Sequence, residues 1–258
     1  MRKLKKENST KNRIGEIRKS NQCGLMKIVE YNNARDITVK FKTGSIIKAE
    51  YSNFKKGKVK DPLFPSVYGI DYVGIGKFKT AINYKMTIGY KIWKSMIQRC
   101  YEPYCINKQP TYQDATVCKK WWNFQTFAEW HNKNYYELLD ERVELDKDLI
   151  KKGNKIYSPE FCSFVPQSIN TLLIKCDKSR GKYPIGVYFH KSSNKYTTKV
   201  NMNGKRKHLG LFSTPNKAFN VYKEAKENQI KIRVNKYKDV LDIHVFDSLM
   251  KYQVEITD

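Results

Sequence analysis

The sequence predicts an α+β chain in three parts. A basic, β-rich N-terminal domain covers residues 1–80, a mixed central domain covers 81–178, and a C-terminal domain with a trailing tail covers 179–258, where a three-stranded antiparallel sheet packs on one helix. Three observations predict this. Ile37, Val39 and Phe41 alternate with polar residues, the period of a half-buried strand. Ile92, Trp93, Met96, Ile97 and Cys100 recur at helical spacing, as do Phe124, Phe127, Ala128 and His131. Three alternating segments, 185–191, 195–202 and 205–213, are separated by SSN and NG turns.

Each element has its own signature. In the first domain MKIVEY, DITVKF and SIIKAEY read as strands, with TGS turning between the last two, and a small barrel or curled sheet is expected. The following YSNFKKGKVKDPLFPSVYGIDYVGIGKF mixes Lys, aromatic and Gly residues, the composition of a surface that contacts a phosphate backbone and stacks on bases. Its GIDYVGIG lacks the glycine spacing and the following helix of a dinucleotide fingerprint, so its glycines read as turns. In the central domain Trp121, Trp122 and Trp130 read as packing, and His131 on the apolar helix face reads first as a core residue, second as a catalytic one. In the third domain a helix enters through Ser213 or Thr214 as cap and Pro215 in the first turn, with Ala218, Phe219, Tyr222 and Ala225 as its buried stripe.

Charge narrows the partner. Fifty Lys and Arg against 25 Asp and Glu leave +25 at neutral pH. The charge is uneven, with 19 basic and 7 acidic residues in 1–80, 15 and 11 in 81–178, and 16 and 7 in 179–258. Two basic flanks around a nearly balanced centre suit two polyanion-binding regions around a site that needs its own carboxylates. The plainer alternative is basic residues that only solvate a surface. Nucleic acid is the expected partner, a membrane surface the second choice, and no small-molecule signature is present. No stretch approaches the roughly 20 apolar residues of a membrane span, and MRKLKKENSTKNR is followed by no signal-peptide core, so a cytoplasmic protein is expected. Cys23, Cys100, Cys105, Cys118, Cys162 and Cys176 are few and unpaired in spacing, which suits thiols in a reducing compartment. The C-x4-C-x12-C run from Cys100 to Cys118, with Cys162 as a fourth thiol, is not the spacing of paired zinc knuckles. These cysteines read as buried thiols in preference to a structural zinc site.

GVYFHKSSNKYTTKV and KRKHLGLFSTPNKAFNVY resemble the DNA-binding domain of plant ethylene-response factors (the AP-two type), which also occurs in phage and mobile-element nucleases. The strand-end Gly210, then Phe212, Thr214 and the Ala218-Phe219 pair carry the resemblance. It implies a sheet laid in the major groove of double-stranded DNA, with Tyr188, His190, Ser193, Lys199, Asn201, Arg206 and His208 facing outward. Tyr188, Ser193, Asn201 and His208 stand where the family has arginines and tryptophans. RNA suits such a sheet less, because the A-form major groove is deep and narrow.

LDKDLIKKGNKIYSPEFCSFVPQSIN, residues 145–170, resembles the HNH motif of phage homing endonucleases, and the upstream YKIWKSMIQRCYEP and TVCKKWWNFQTFAEW resemble the segment that precedes it there. The resemblance implies a strand pair and helix around one divalent metal, the ββα-metal unit, in a phage or mobile-element nuclease. Asp146 and Asn170 stand at the metal-ligand positions, oxygen donors suited to Mg²⁺ or Mn²⁺. Gly153 and Asn154 match the loop between. The departure is central: the family's general-base histidine is Lys147 here, and the usual Asn-Leu before the second strand reads Phe161-Cys162. A lysine at its ordinary pKa of about 10.4 is deprotonated only about once in a few thousand molecules at pH 7, and carboxylates at Asp146 and Asp148 favour the ammonium further. Lys147 is therefore expected to clamp phosphate, with Asp148, His131 or a water acidified by the metal supplying the base. Two functions stay open: a metal-dependent DNA endonuclease with an altered base, or a catalytically silent DNA-binding or regulatory protein on the same scaffold, where Asp146 and Asn170 only satisfy local hydrogen bonds.

Overall fold

A computed structural model describes residues 13–66, 68–108, 112–173, 181–202 and 204–256. Cys176 and Asn203, the latter in the second turn expected in the C-terminal sheet, lie outside them. The chain divides into two compact units, with the boundary between Asn132 and Lys133.

The first unit opens with β1 (Ile17–Ser20), β2 (Gly24–Asn33), β3 (Asp36–Phe41) and β4 (Ile46–Ala49), an antiparallel meander in chain order. β1 carries weak alternation and was not expected from the sequence. Inward residues Met26, Ile28, Ile37, Val39 and Phe41 form a core that α1 (Tyr51–Lys55) closes with the fully buried Phe54. The expected TGS turn is locked from outside the sheet. Buried Asp61 accepts the Thr43 hydroxyl at 2.7 Å and the Ser45 hydroxyl at 2.6 Å, with the Leu63 amide at 2.9 Å.

A two-residue hairpin, β5 (Ala81–Ile82) to β6 (Lys85–Met86), leads into α2 (Ile88–Tyr101). Thr87 caps that helix by accepting from the Tyr90 amide at 3.3 Å. Of the stripe that the spacing predicts, Trp93, Met96, Ile97 and Cys100 are buried and Ile92 is half-buried. After α3 (Pro103–Lys108), β7 (Thr116–Val117) and a 3-10 turn at Lys119–Trp122 comes α4 (Phe124–Asn134), which buries Phe124, Phe127 and Ala128. Trp93 donates its indole N–H to the Trp121 carbonyl at 2.7 Å, and Trp121 packs on Phe127 and Trp130. Of the tryptophans read as packing, Trp121 and Trp130 pack together, while Trp122 is half-buried and donates its indole N–H to the Val117 carbonyl at 3.0 Å.

Asp71, in GIDYVGIG, is fully buried, and neither carboxylate oxygen has a hydrogen-bond partner among the described residues. Burial pushes its carboxyl up from 3.8 to about 7. A raised folded pKa means stability is lost as pH rises from about 4 through 7, because folding then buries a charge. Asp71→Asn is therefore expected to melt higher than the natural chain at pH 8 and to match it near pH 4. Equal melting temperatures at pH 8 would show that the carboxylate costs the fold nothing.

The second unit contains β8 (Val143–Asp146), β9 (Ile156–Tyr157), β10 (Ser163–Pro166) and α5 (Gln167–Leu172). β8 and β10 pair antiparallel, Asp146 opposite Ser163 and Val143 opposite Pro166. The sheet β11 (Val187–His190), β12 (Lys195–Met202), β13 (Lys205–Phe212) is antiparallel throughout. Gly186 precedes it at φ +74, and a Cβ there would fall 2.3 Å from the Tyr222 ring, so only glycine lets the strand begin against the helix.

α6 (Pro215–Lys236) starts at Thr214, whose hydroxyl accepts from the Lys217 amide at 3.3 Å, with Pro215 in the first turn. Its first half packs Ala218, Phe219 and Tyr222 against Val187 and Val200 of the sheet. Its second half enters a different core: Ile230 and Val234, with Val245 and Leu249 of α7 (Ile243–Met250), pack on Val165 and Ile169 of β10 and α5. One helix thus joins the C-terminal sheet to the β8–β10–α5 unit. The tail returns as well, since Lys223 donates to the Val254 carbonyl at 2.7 Å and Glu227 accepts the Val254 amide at 2.8 Å.

Candidate functional site

Strand alternation builds the site on β8. Glu144 and Asp146 fall on one face, Leu145 and the following Lys147 on the other, where both are buried. From α5, which follows β10 without a loop, Asn170 donates its amide N–H to a Glu144 carboxylate oxygen at 2.6 Å. That bond orients the amide and leaves its carbonyl oxygen for another partner. Two carboxylates and one amide thus share a face. Glu144 was missed in the sequence, although the period-2 pattern of VELD already puts it beside Asp146.

Asp146 also shapes the chain that follows. One of its oxygens accepts the amides of Asp148 at 2.8 Å and Leu149 at 3.0 Å, which ends the strand in a tight turn. Burial, followed by the nearby Asp148, pushes the Asp146 carboxyl up to about 6. Asn154 pins the rest of the loop. Its amide N–H donates to the carbonyls of Lys147 at 2.6 Å and Ile156 at 2.7 Å, and its oxygen accepts the Ile156 amide at 3.3 Å. Gly153, at φ +80, makes the reversal this needs. With those bonds made, Asn154 positions the loop.

Lys147, where the resemblance would place a general base, has its ammonium 3.5 Å from the Asp148 carboxylate and 5.9 Å from the centre of the Tyr157 ring. It is a held cation on a covered side chain. Asp148 is the open partner, its side chain 45% exposed.

His131 belongs to the first unit. Its ring lies against Phe127, and Gly89 of α2 comes so close that a Cβ there would sit 3.2 Å from the His131 Nδ1. Burial drives its pKa down to about 4, so the imidazole is neutral near pH 7.

On the C-terminal sheet, Tyr188, His190, Lys199, Asn201, Arg206 and His208 are all exposed. The register puts Lys199 opposite His208 and Asn201 opposite Arg206, on the face away from α6. Buried Thr197 lies on the same face and holds His208, ring nitrogen to hydroxyl at 2.9 Å. Ser193 sits in the turn after β11, its hydroxyl 2.8 Å from the His190 Nδ1. Six of the seven residues expected to face outward therefore form one surface, with the seventh at its edge.

Among the described residues, no group of three or more His, Cys, Asp and Glu is placed to hold a metal, no disulfide forms, and no helix is long and apolar enough to cross a membrane. Comparisons with protein-family models, with curated proteins and with solved structures find no match.

Proposed function

We propose that this chain binds duplex DNA through the outward face of its C-terminal sheet and hydrolyses phosphodiester bonds at the β8–α5 site, in the manner of the HNH nucleases that its central region resembles. The observation that carries the proposal is the convergence of Glu144, Asp146 and Asn170 on one face, with the amide of Asn170 turned by its bond to Glu144. This oxygen donor set fits a hard divalent cation. A bound Mg²⁺ or Mn²⁺ would polarise the phosphate and acidify water there. The chain's own residues do the rest. Asp146 and Glu144 supply charge, Asn170 a neutral oxygen, and Asn154 keeps the loop in register. Lys147, covered on the opposite face, is held by Asp148 and lies behind the donor set, and solvent-open Asp148 is the carboxylate assigned the role of general base.

A second reading has its own observation. The Asp146 carboxylate already accepts two backbone amides and Lys147 is engaged by Asp148, so the same geometry serves as a structural turn in a non-catalytic DNA binder. A nicking assay on supercoiled DNA with Mg²⁺ or Mn²⁺ separates the two, because only the nuclease converts the substrate. Binding is tested on its own. Arg206→Ala should weaken duplex binding by about 1–3 kcal/mol in a titration at fixed salt, the cost of losing a base-edge contact. Unchanged affinity removes the sheet from the interface.

A further inference from the structure

The four-stranded sheet of the first unit carries a row of residues that its fold does not use. Ile17 on β1 stands opposite Lys27 on β2, Lys27 opposite Lys40 on β3, and Lys40 opposite Ile46 on β4. All four are exposed, Ile17 at 58% and Ile46 at 57%. In the adjoining row Lys19 faces Leu25, which is 60% exposed. Directly paired like charges destabilise a sheet. Among the described residues no carboxylate lies within ion-pair distance of Lys19, Lys27 or Lys40. Glu30, further along the same sheet, is held by the Thr38 hydroxyl at 2.7 Å, and Glu16 is engaged by Arg13 and Arg18.

We propose that this face is a second DNA-contacting surface, on which Lys27 and Lys40 bracket a backbone phosphate. Cα atoms of directly opposed residues stand about 4.5–5.5 Å apart, so two lysines can converge on one anion, and an anion there relieves their mutual repulsion. Ile17, Leu25 and Ile46 are interleaved with the lysines instead of gathered into a stripe, which suits a sugar-phosphate backbone better than insertion into a bilayer. The inference rests on the reading of the chain as a duplex-DNA binder and adds a surface that contributes charge but no sequence readout.

The test is the salt dependence of duplex binding by the full chain. Each phosphate contact contributes about 0.9 to the slope of log K against log[salt]. Because the two lysines share one phosphate, Lys27→Gln/Lys40→Gln should lower the slope by about 1 and Lys27→Gln alone by less, with neither variant melting below the natural chain, since a like-charge pair is removed. A slope unchanged in both variants, while Arg206→Ala still weakens binding, overturns this inference and leaves the C-terminal interface standing. A natural chain that does not bind duplex DNA overturns both. Vesicles of anionic lipid are the control: vesicle binding lost in the double variant with an unchanged DNA slope assigns the face to a membrane and likewise overturns the proposal.

Discussion

Asp146→Asn is expected to cut metal-dependent nicking by about a thousandfold or more, the effect of removing several kcal/mol of charge stabilisation at the scissile phosphate. Asparagine is the better substitution here, because its oxygen can still accept the amides of Asp148 and Leu149 that end β8. Asp146→Ala would leave both amides without that partner and cost the turn about 0.5–2 kcal/mol, confusing lost structure with lost chemistry. Duplex affinity of Asp146→Asn should match or slightly exceed that of the natural chain, since a negative charge is removed from the surface proposed to meet phosphate. If Asp146→Asn nicks as fast as the natural chain, Asp146 holds no catalytic metal, and its role is the turn alone.

Lys147→His should raise the nicking rate, by about a hundredfold if the imidazole takes the proton that no histidine at this position now takes. The rate should climb with pH through about 6.5, because only the neutral imidazole accepts a proton. The exchange gives up the contacts of the Lys147 ammonium with Asp148 and with the Tyr157 ring, so a melting temperature lower by a few degrees is expected. Silence of both the natural chain and Lys147→His with Mg²⁺ and with Mn²⁺, while both retain duplex binding, would falsify the nuclease proposal. The non-catalytic DNA binder would then stand.

Much of the architecture is legible in single stretches. DITVKF forms a strand because Ile37, Val39 and Phe41 share a face at period 2, and α6 starts where Thr214 and Pro215 say it should. The buried stripes of α2 and α4 follow from spacing alone. Such features are encoded within a few residues, by dihedral preferences, caps and turn chemistry acting on neighbours. The candidate site was half legible. Asp146 and Asn170 stood out through the motif, whereas Glu144 did not, because its meaning depends on a side chain 26 residues away.

By itself, then, the sequence determined the strands of the four-stranded and the three-stranded sheets apart from β1, the start of α6, the apolar faces of α2, α4 and the first half of α6, and the net charge of +25. Tertiary packing decided the rest: that α6 runs on past its first stripe and serves two cores, that Lys147 turns to Asp148 and Tyr157, that the Asn170 amide reaches Glu144, and that Lys27 faces Lys40. The physical reason is the same in each case. These contacts join residues whose local preferences are satisfied equally well without them, so only the burial of apolar surface shared between distant segments selects the arrangement in which they form.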